Sequence, residues 1–139
     1  MKIHAIRPEH FAEISVWNRQ LQIDEGSLVM SLEEIERRMK SWFSEKYSGC
    51  IFDSDGPVGY AIYRPTDFDS EGERFYLRQF FVAKEHRQKG YATQAFHLMV
   101  KEIFKGQRVI LEVLETNPQG RKFWNSVGLK PYCTKLELT

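Results

Sequence analysis

Apolar side chains recur at Ala92, Ala95, Phe96, Met99, Val100, Ile103 and Phe104. The spacing i, i+3, i+4, i+7, i+8, i+11 and i+12 places them on one stripe of an α-helix over 90–105, and Gly106 stands where such a helix ends. Two apolar stretches flank it. Residues 75–82 are dense in aromatics and residues 109–114 in branched aliphatics, the usage of buried strands. A strand, a long helix and a second strand in one sheet require a crossover connection, which makes the two strands parallel. That constraint places the chain among α/β folds. Pro118 then opens a short helix at its first turn, and Gly128 closes it.

The residues before this unit read differently. Residues 2–6 alternate as a short half-buried strand that ends at Arg7-Pro8. A helix is expected from Glu9, with Phe11, Ile14 and Leu21 on one face. Ser31 and Glu34 form an S-x-x-E capping box ahead of a second helix, whose apolar stripe is Leu32, Ile35, Met39, Trp42 and Phe43. Residues 50–52, the Asp53-Ser54-Asp55-Gly56 turn and residues 57–63 read as a β-hairpin. An acidic loop carrying Asp67, Asp69, Glu71 and Glu73 follows; a solvated loop explains it better than an amine-attracting one. The tail over 132–138 alternates enough to add a strand. Hairpins before a crossover give a mixed sheet flanked by helices. No repeat, low-complexity run or linker divides the chain, so 1–139 is expected to be a single domain.

Charge and composition exclude several function classes. The 139 residues include 20 basic and 19 acidic side chains, a net charge of +1 with histidine neutral. That balance supplies no field for nucleic acid or an anionic membrane surface. No run approaches the ~18 apolar residues of a membrane span, and the first residues carry no signal-peptide core, so a soluble cytoplasmic protein is expected. The two cysteines, Cys50 and Cys133, belong to no CxxC or Cys/His cluster. Neither a disulfide framework nor a metal site is expected.

The chemistry-bearing segment is Arg87-Gln88-Lys89-Gly90-Tyr91-Ala92, where a strand runs into a basic loop and small residues begin the long helix. The first turn of a helix leaves N–H groups unpaired and adds partial positive charge, which suits phosphate. Gly90 and Ala92 allow close backbone approach, and Arg87 and Lys89 add full charges. The sequence contains no G-x-x-x-x-G-K-[ST] string and no G-x-G-x-x-G fingerprint. It does contain R/Q-x-x-G-x-G/A. In this motif the chain resembles the acetyl-CoA-binding signature of the GNAT N-acetyltransferases. Leu111-Glu112-Val113, then Asn117, Gly120, Phe123-Trp124 and Gly128-Leu129, are similar to that family's L-E-V, N-x-x-A-x-x-F-Y and G-F pattern.

The resemblance implies a GNAT fold: a mostly antiparallel mixed sheet in which the parallel strands at 77–82 and 109–114 splay apart for acetyl-CoA. Pantetheine would pair with the backbone near Phe81, Val82 and Ala83. The pyrophosphate would lie against Arg87, Gln88, Lys89, Gly90, Tyr91 and Ala92. Asn117, Phe123 and Trp124 would line the thioester end, and an N–H near Val82 would meet the oxyanion. The implied activity is direct acetyl transfer to a primary amine on a small molecule or peptide, without metal.

An alkyl ammonium titrates near ~10.4, so a base must take its proton. Glu112 matches the family's L-E-V glutamate and is the candidate base; the other reading is an acid that orients water or pairs with a basic side chain. Trp124 stands where the family commonly has a tyrosine that protonates the leaving thiolate. Indole cannot deliver that proton, and Tyr132 is the candidate replacement, against a reading as a packing aromatic. The competing class is an acetyl-CoA-binding sensor with little transferase activity, motivated by Trp124 and by Arg78 and Gln79 standing where the family often has an acid. A homodimer through strand pairing near the C-terminus is compatible with both.

Overall fold

The computed structural model describes residues 1–66 and 74–139; the acidic loop lies outside them. Strands β1 (Lys2–Ala5), β2 (Ser48–Asp53), β3 (Pro57–Thr66), β4 (Arg74–Val82) and β5 (Arg108–Ile110) form one sheet in the order β1-β2-β3-β4-β5. All neighbours are antiparallel except β4 and β5, which are parallel. A 3₁₀ turn at Pro8–His10 leads into α1 (Phe11–Glu25), and α2 (Leu32–Ser44) follows. The long helix is α3 (Tyr91–Met99), prolonged by a π-helical turn over Val100–Phe104, and α4 (Pro118–Ser126) completes the elements.

The sheet separates two cores. On one face Phe11 and Ile14 of α1 and Ile35, Met39 and Trp42 of α2 pack on Ile51, Tyr60, Ile62 and Phe81. On the other, Ala95, Phe96 and Met99 of α3, with Phe104 beyond them, cover Cys50, Phe52, Val58 and Leu77. Ser31 caps α2 by accepting the Glu34 N–H at 3.2 Å, and its hydroxyl donates to the Glu34 carboxylate at 3.0 Å. Leu32, expected on the buried stripe, is 40% exposed, because that stripe begins only at Ile35.

Two strand expectations are corrected. The strand expected over 109–114 stops at Ile110, since beyond Tyr76↔Ile110 the chain leaves β4 and finds no ladder partner. The tail over 132–138 forms no strand, and Leu136 and Leu138 stand exposed. Alternation alone supplies no neighbouring edge to pair with.

Two details shape the far half of β4. Register steps from Ile62↔Gln79 to Tyr63↔Leu77, so Arg78 is the extra residue of a β-bulge. Gly59 permits the close approach of β3 to β4: a Cβ there would lie 2.1 Å from the Phe81 carbonyl oxygen.

Candidate active site

After β4 a 3₁₀ turn at Lys84–His86 is followed by left-handed residues Gln88 (φ 63°) and Gly90 (φ 78°). The first helical bond of α3 runs from Gln94 N–H to the Gly90 carbonyl at 3.1 Å. The N–H groups of Tyr91, Ala92 and Thr93 therefore have no acceptor within the helix. They border a cavity of about 250 Å³ lined also by Val82, His86 and Gln88. Backbone N–H groups as well as the side chains of His86 and Arg87 border this cavity.

Arg87 is placed differently from the sequence expectation. It borders this cavity, but its Nε donates to the Val82 carbonyl at 2.8 Å and its Nη2 pairs with Asp24 at 2.7 Å. Lys89 does not line the cavity. Of the three backbone positions expected to meet pantetheine, Ala83, just beyond β4, gives its N–H to the Val58 carbonyl at 2.8 Å. Alternation along a strand then turns the Val82 N–H away from β3, toward the side that β5 leaves open.

A second cavity of about 330 Å³ lies where β5 departs from β4. Residues 76–80 of β4 form one wall and residues 111–114 the opposite one. Asn117, Gly120, Phe123 and Trp124 close it from α4, and Leu21, Gln22, Glu25, Arg38 and Trp42 close it from α1 and α2. Phe123 lines both cavities, so the space at the start of α3 and this chamber adjoin at Phe123.

Among the described residues, two carboxylates, Glu25 and Glu112, line the larger chamber. Glu112 accepts a hydrogen bond from the Tyr76 hydroxyl at 2.8 Å and lies 3.5 Å from Lys135 Nζ, so the basic partner in the alternative reading is present. Burial, and then the Glu112 bond, push the Tyr76 hydroxyl up to about 12. Glu25 ends α1, and burial, followed by the neighbouring charge of Asp24, raises its pKa above the ordinary carboxylate range. Nothing in the sequence singles out Glu25 or Tyr76, since only the packing of α1 on β4 and the return of β5 bring them to the chamber.

The remaining candidates separate. Asn117 caps α4, its Oδ1 accepting the Gly120 N–H at 3.0 Å, and lines the larger cavity from that position. Phe123 stacks on Phe80 with centroids 5.8 Å apart, and Trp124 packs edge-on against Phe80, Phe96 and Phe123. Tyr132 lines neither cavity. Its ring meets Arg74 and Arg108, at the opposite end of β4 from the loop before α3. Among the described residues no cluster of histidine, cysteine and acidic side chains could hold a metal, and no helix is long and apolar enough to cross a membrane.

The parallel pair that opens beside the start of α3 is that of an acyltransferase. The model of the acetyltransferase (GNAT) family matches residues 13–129, and the chain belongs to that family. Its fold is similar to that of a possible acetyltransferase from Clostridium difficile 630, with TM-score 0.83 and 17% identity over 99% of this chain and 95% of that one. A predicted acetyltransferase with acetyl-CoA from Clostridium acetobutylicum gives 0.77 and 17% over 99% and 95%. The aminoglycoside N-acetyltransferase AAC(6')-Iy in complex with CoA gives 0.74 and 16% over 99% and 93%. Among curated proteins no match is found.

Proposed function

We propose that this acyltransferase uses acetyl-CoA as donor and transfers its acetyl group directly to a primary amine of a small molecule or peptide. The observation that carries this reading is the continuity at Phe123 between the phosphate-loop cavity and a chamber containing carboxylates. The diphosphate would meet the N–H groups from Gln88 to Ala92, and the pantetheine amides would run along the open side of β4. The thioester would then lie near Phe123, with the Val82 N–H placed to stabilise negative charge on its carbonyl oxygen.

In this reading Glu112 takes a proton from the acceptor ammonium and Tyr76 holds that carboxylate in place. The neutral amine nitrogen forms the new C–N bond as the C–S bond breaks, and the second proton it loses on becoming an amide passes to solvent. The departing thiolate has a pKa near ~8.5 and takes its proton from solvent, so no tyrosine is required at position 124. The sensor reading draws support from the distance of Tyr132 from the chamber. The two readings part on turnover.

Calorimetric titration of acetyl-CoA tests the donor site. Gly90→Ala and Gly90→Glu both impose a side chain at φ 78°, with only Gln94 Nε2 near the new Cβ at 3.9 Å. They share a backbone strain of about 1–2 kcal/mol, so the difference between them isolates the carboxylate. The expected result is saturable binding by the wild type and the Ala variant and its loss in the Glu variant. No binding to folded wild type overturns the reading. Thiol release across an amine panel, lowered about 10²–10⁴-fold by Glu112→Gln, supports the enzyme and the base; a panel silent despite binding supports the sensor.

A further inference from the structure

The wall of the chamber opposite Glu112 is rich in hydrogen-bond donors. Arg38 of α2 and Arg78 of β4 each place a guanidinium 4.5 Å from the centroid of the Trp42 ring. Arg38 donates to Asn18 Oδ1 at 3.3 Å and Arg78 to the Tyr47 hydroxyl at 3.1 Å, both neutral partners. Among the described residues no carboxylate lies within ion-pair distance of either guanidinium. Glu25 lines the same cavity but pairs with neither. Both guanidiniums line the chamber without a counter-ion and each feels the other's like charge, so an anion received in the chamber relieves that repulsion.

A third donor follows from the amide network beneath them. The Met30 N–H must donate, so it fixes Gln22 Oε1 toward it, at 2.8 Å. Gln22 Nε2 then faces Asn18 Oδ1 at 3.4 Å, the atom that Arg38, a donor only, also requires. Asn18 must therefore present Nδ2 to Gln79, whose Oε1 accepts it at 2.7 Å and accepts the Tyr60 hydroxyl at 2.9 Å. The Gln79 amide NH₂ is left turned the other way, with no partner among the described residues, and Gln79 lines the chamber. The bulge at Arg78 explains why consecutive residues reach the same face: Arg78 stacks on α2 while Gln79 bonds to α1.

We infer that Arg38, Arg78 and Gln79 form a recognition site for an anionic group on the acceptor, so that the substrate is a small primary amine that also carries a carboxylate or phosphate. The inference rests on the transferase reading above and names its acceptor class. Guanidinium forks suit both oxyanions, and Trp42 keeps the two forks oriented.

Matched acceptors test it in an assay of thiol release from acetyl-CoA. The carboxylate arm compares each of the common amino acids with its amide; the phosphate arm compares phosphoethanolamine with ethanolamine; 1,4-diaminobutane represents cationic acceptors. The expected result is a kcat/KM at least tenfold higher for the anionic member in one arm, which also identifies the oxyanion. Arg78→Gln, at an exposed strand position, should bring that ratio toward one through a raised KM while acetyl-CoA titrates with the wild-type Kd. Arg38→Gln should do the same if it folds. Preference for amides or the diamine, an unchanged ratio in Arg78→Gln, or a silent panel with acetyl-CoA still binding overturns the inference and leaves the donor site standing. Failure to bind acetyl-CoA overturns both.

Discussion

Arg87 ties the end of β4 to the end of α1, with its Nε on the Val82 carbonyl at 2.8 Å and its Nη2 on the Asp24 carboxylate at 2.7 Å. Its guanidinium also lies 5.3 Å from the centroid of the Phe81 ring. A residue committed in this way holds the loop before α3 against the sheet. Arg87→Ala should lower unfolding stability by about 1–2 kcal/mol, the scale of a charge-assisted hydrogen bond with a partly exposed ion pair. Acetyl-CoA affinity should fall less than tenfold. Denaturant titration and calorimetry on the same variant separate a strut from a phosphate ligand.

Asp24 gives this strut a pH dependence. Burial opposes its ionisation, but hydrogen bonds from Arg87 and Gln20 outweigh it and hold the carboxyl below the ordinary carboxylate range. A depressed folded-state value means that its stabilisation is full above the unfolded value of about 3.9 and is lost as pH falls below it. Asp24→Asn should therefore be less stable than wild type near neutrality, and the gap should narrow in acid. Thermal melts from pH 7 down to about pH 2 would measure that convergence.

The thiols should differ sharply. Cys50 is buried in β2 and its thiol is pushed up to about 12 by burial, whereas Cys133 is exposed. At pH 8 only roughly one Cys50 in ten thousand is thiolate, and burial blocks access as well. One equivalent of a disulfide reagent should react promptly with the folded protein and the second only on unfolding. Cys133→Ser should remove the fast phase.

Phe123 borders both cavities, so its loss should affect donor and acceptor together. Phe123→Ala should raise KM for acetyl-CoA and for the amine, with a stability loss of about 1–3 kcal/mol from the lost packing on Phe80 and Trp124. An effect confined to one substrate would place the boundary between the chambers elsewhere.

Much of the architecture was legible because it rests on local periodicity. The stripe from Ala92 to Phe104, the Ser31 cap and the hairpin about Asp53 each lie within one short stretch of sequence. The motif from Arg87 to Ala92 likewise located the left-handed loop at the start of α3. Pairing and convergence were not local. Residues 111–114 look like strand but lie past the point where β4 and β5 part, and alternation in the tail was not matched by an edge. The Arg87 tie to Asp24, far away in sequence, appears only once the fold brings the two together. Glu25, Arg38 and Gln79 meet only through the tertiary fold, and the bulge that aligns Arg78 with Gln79 left no mark among the strand's aromatics.

β4 is paired with β3 from Gly59↔Val82 to Thr66↔Arg74, but with β5 only from Arg74↔Arg108 to Tyr76↔Ile110. Local stability follows the extent of such pairing, so the seam beside β5 should be the first part of the sheet to open. In the proposed donor mode, a bound molecule on the opened side would supply the hydrogen bonds a longer fifth strand would have made. Ligand occupancy and the firmness of the C-terminal third of the chain would then be one linked equilibrium, in which each rises with the other.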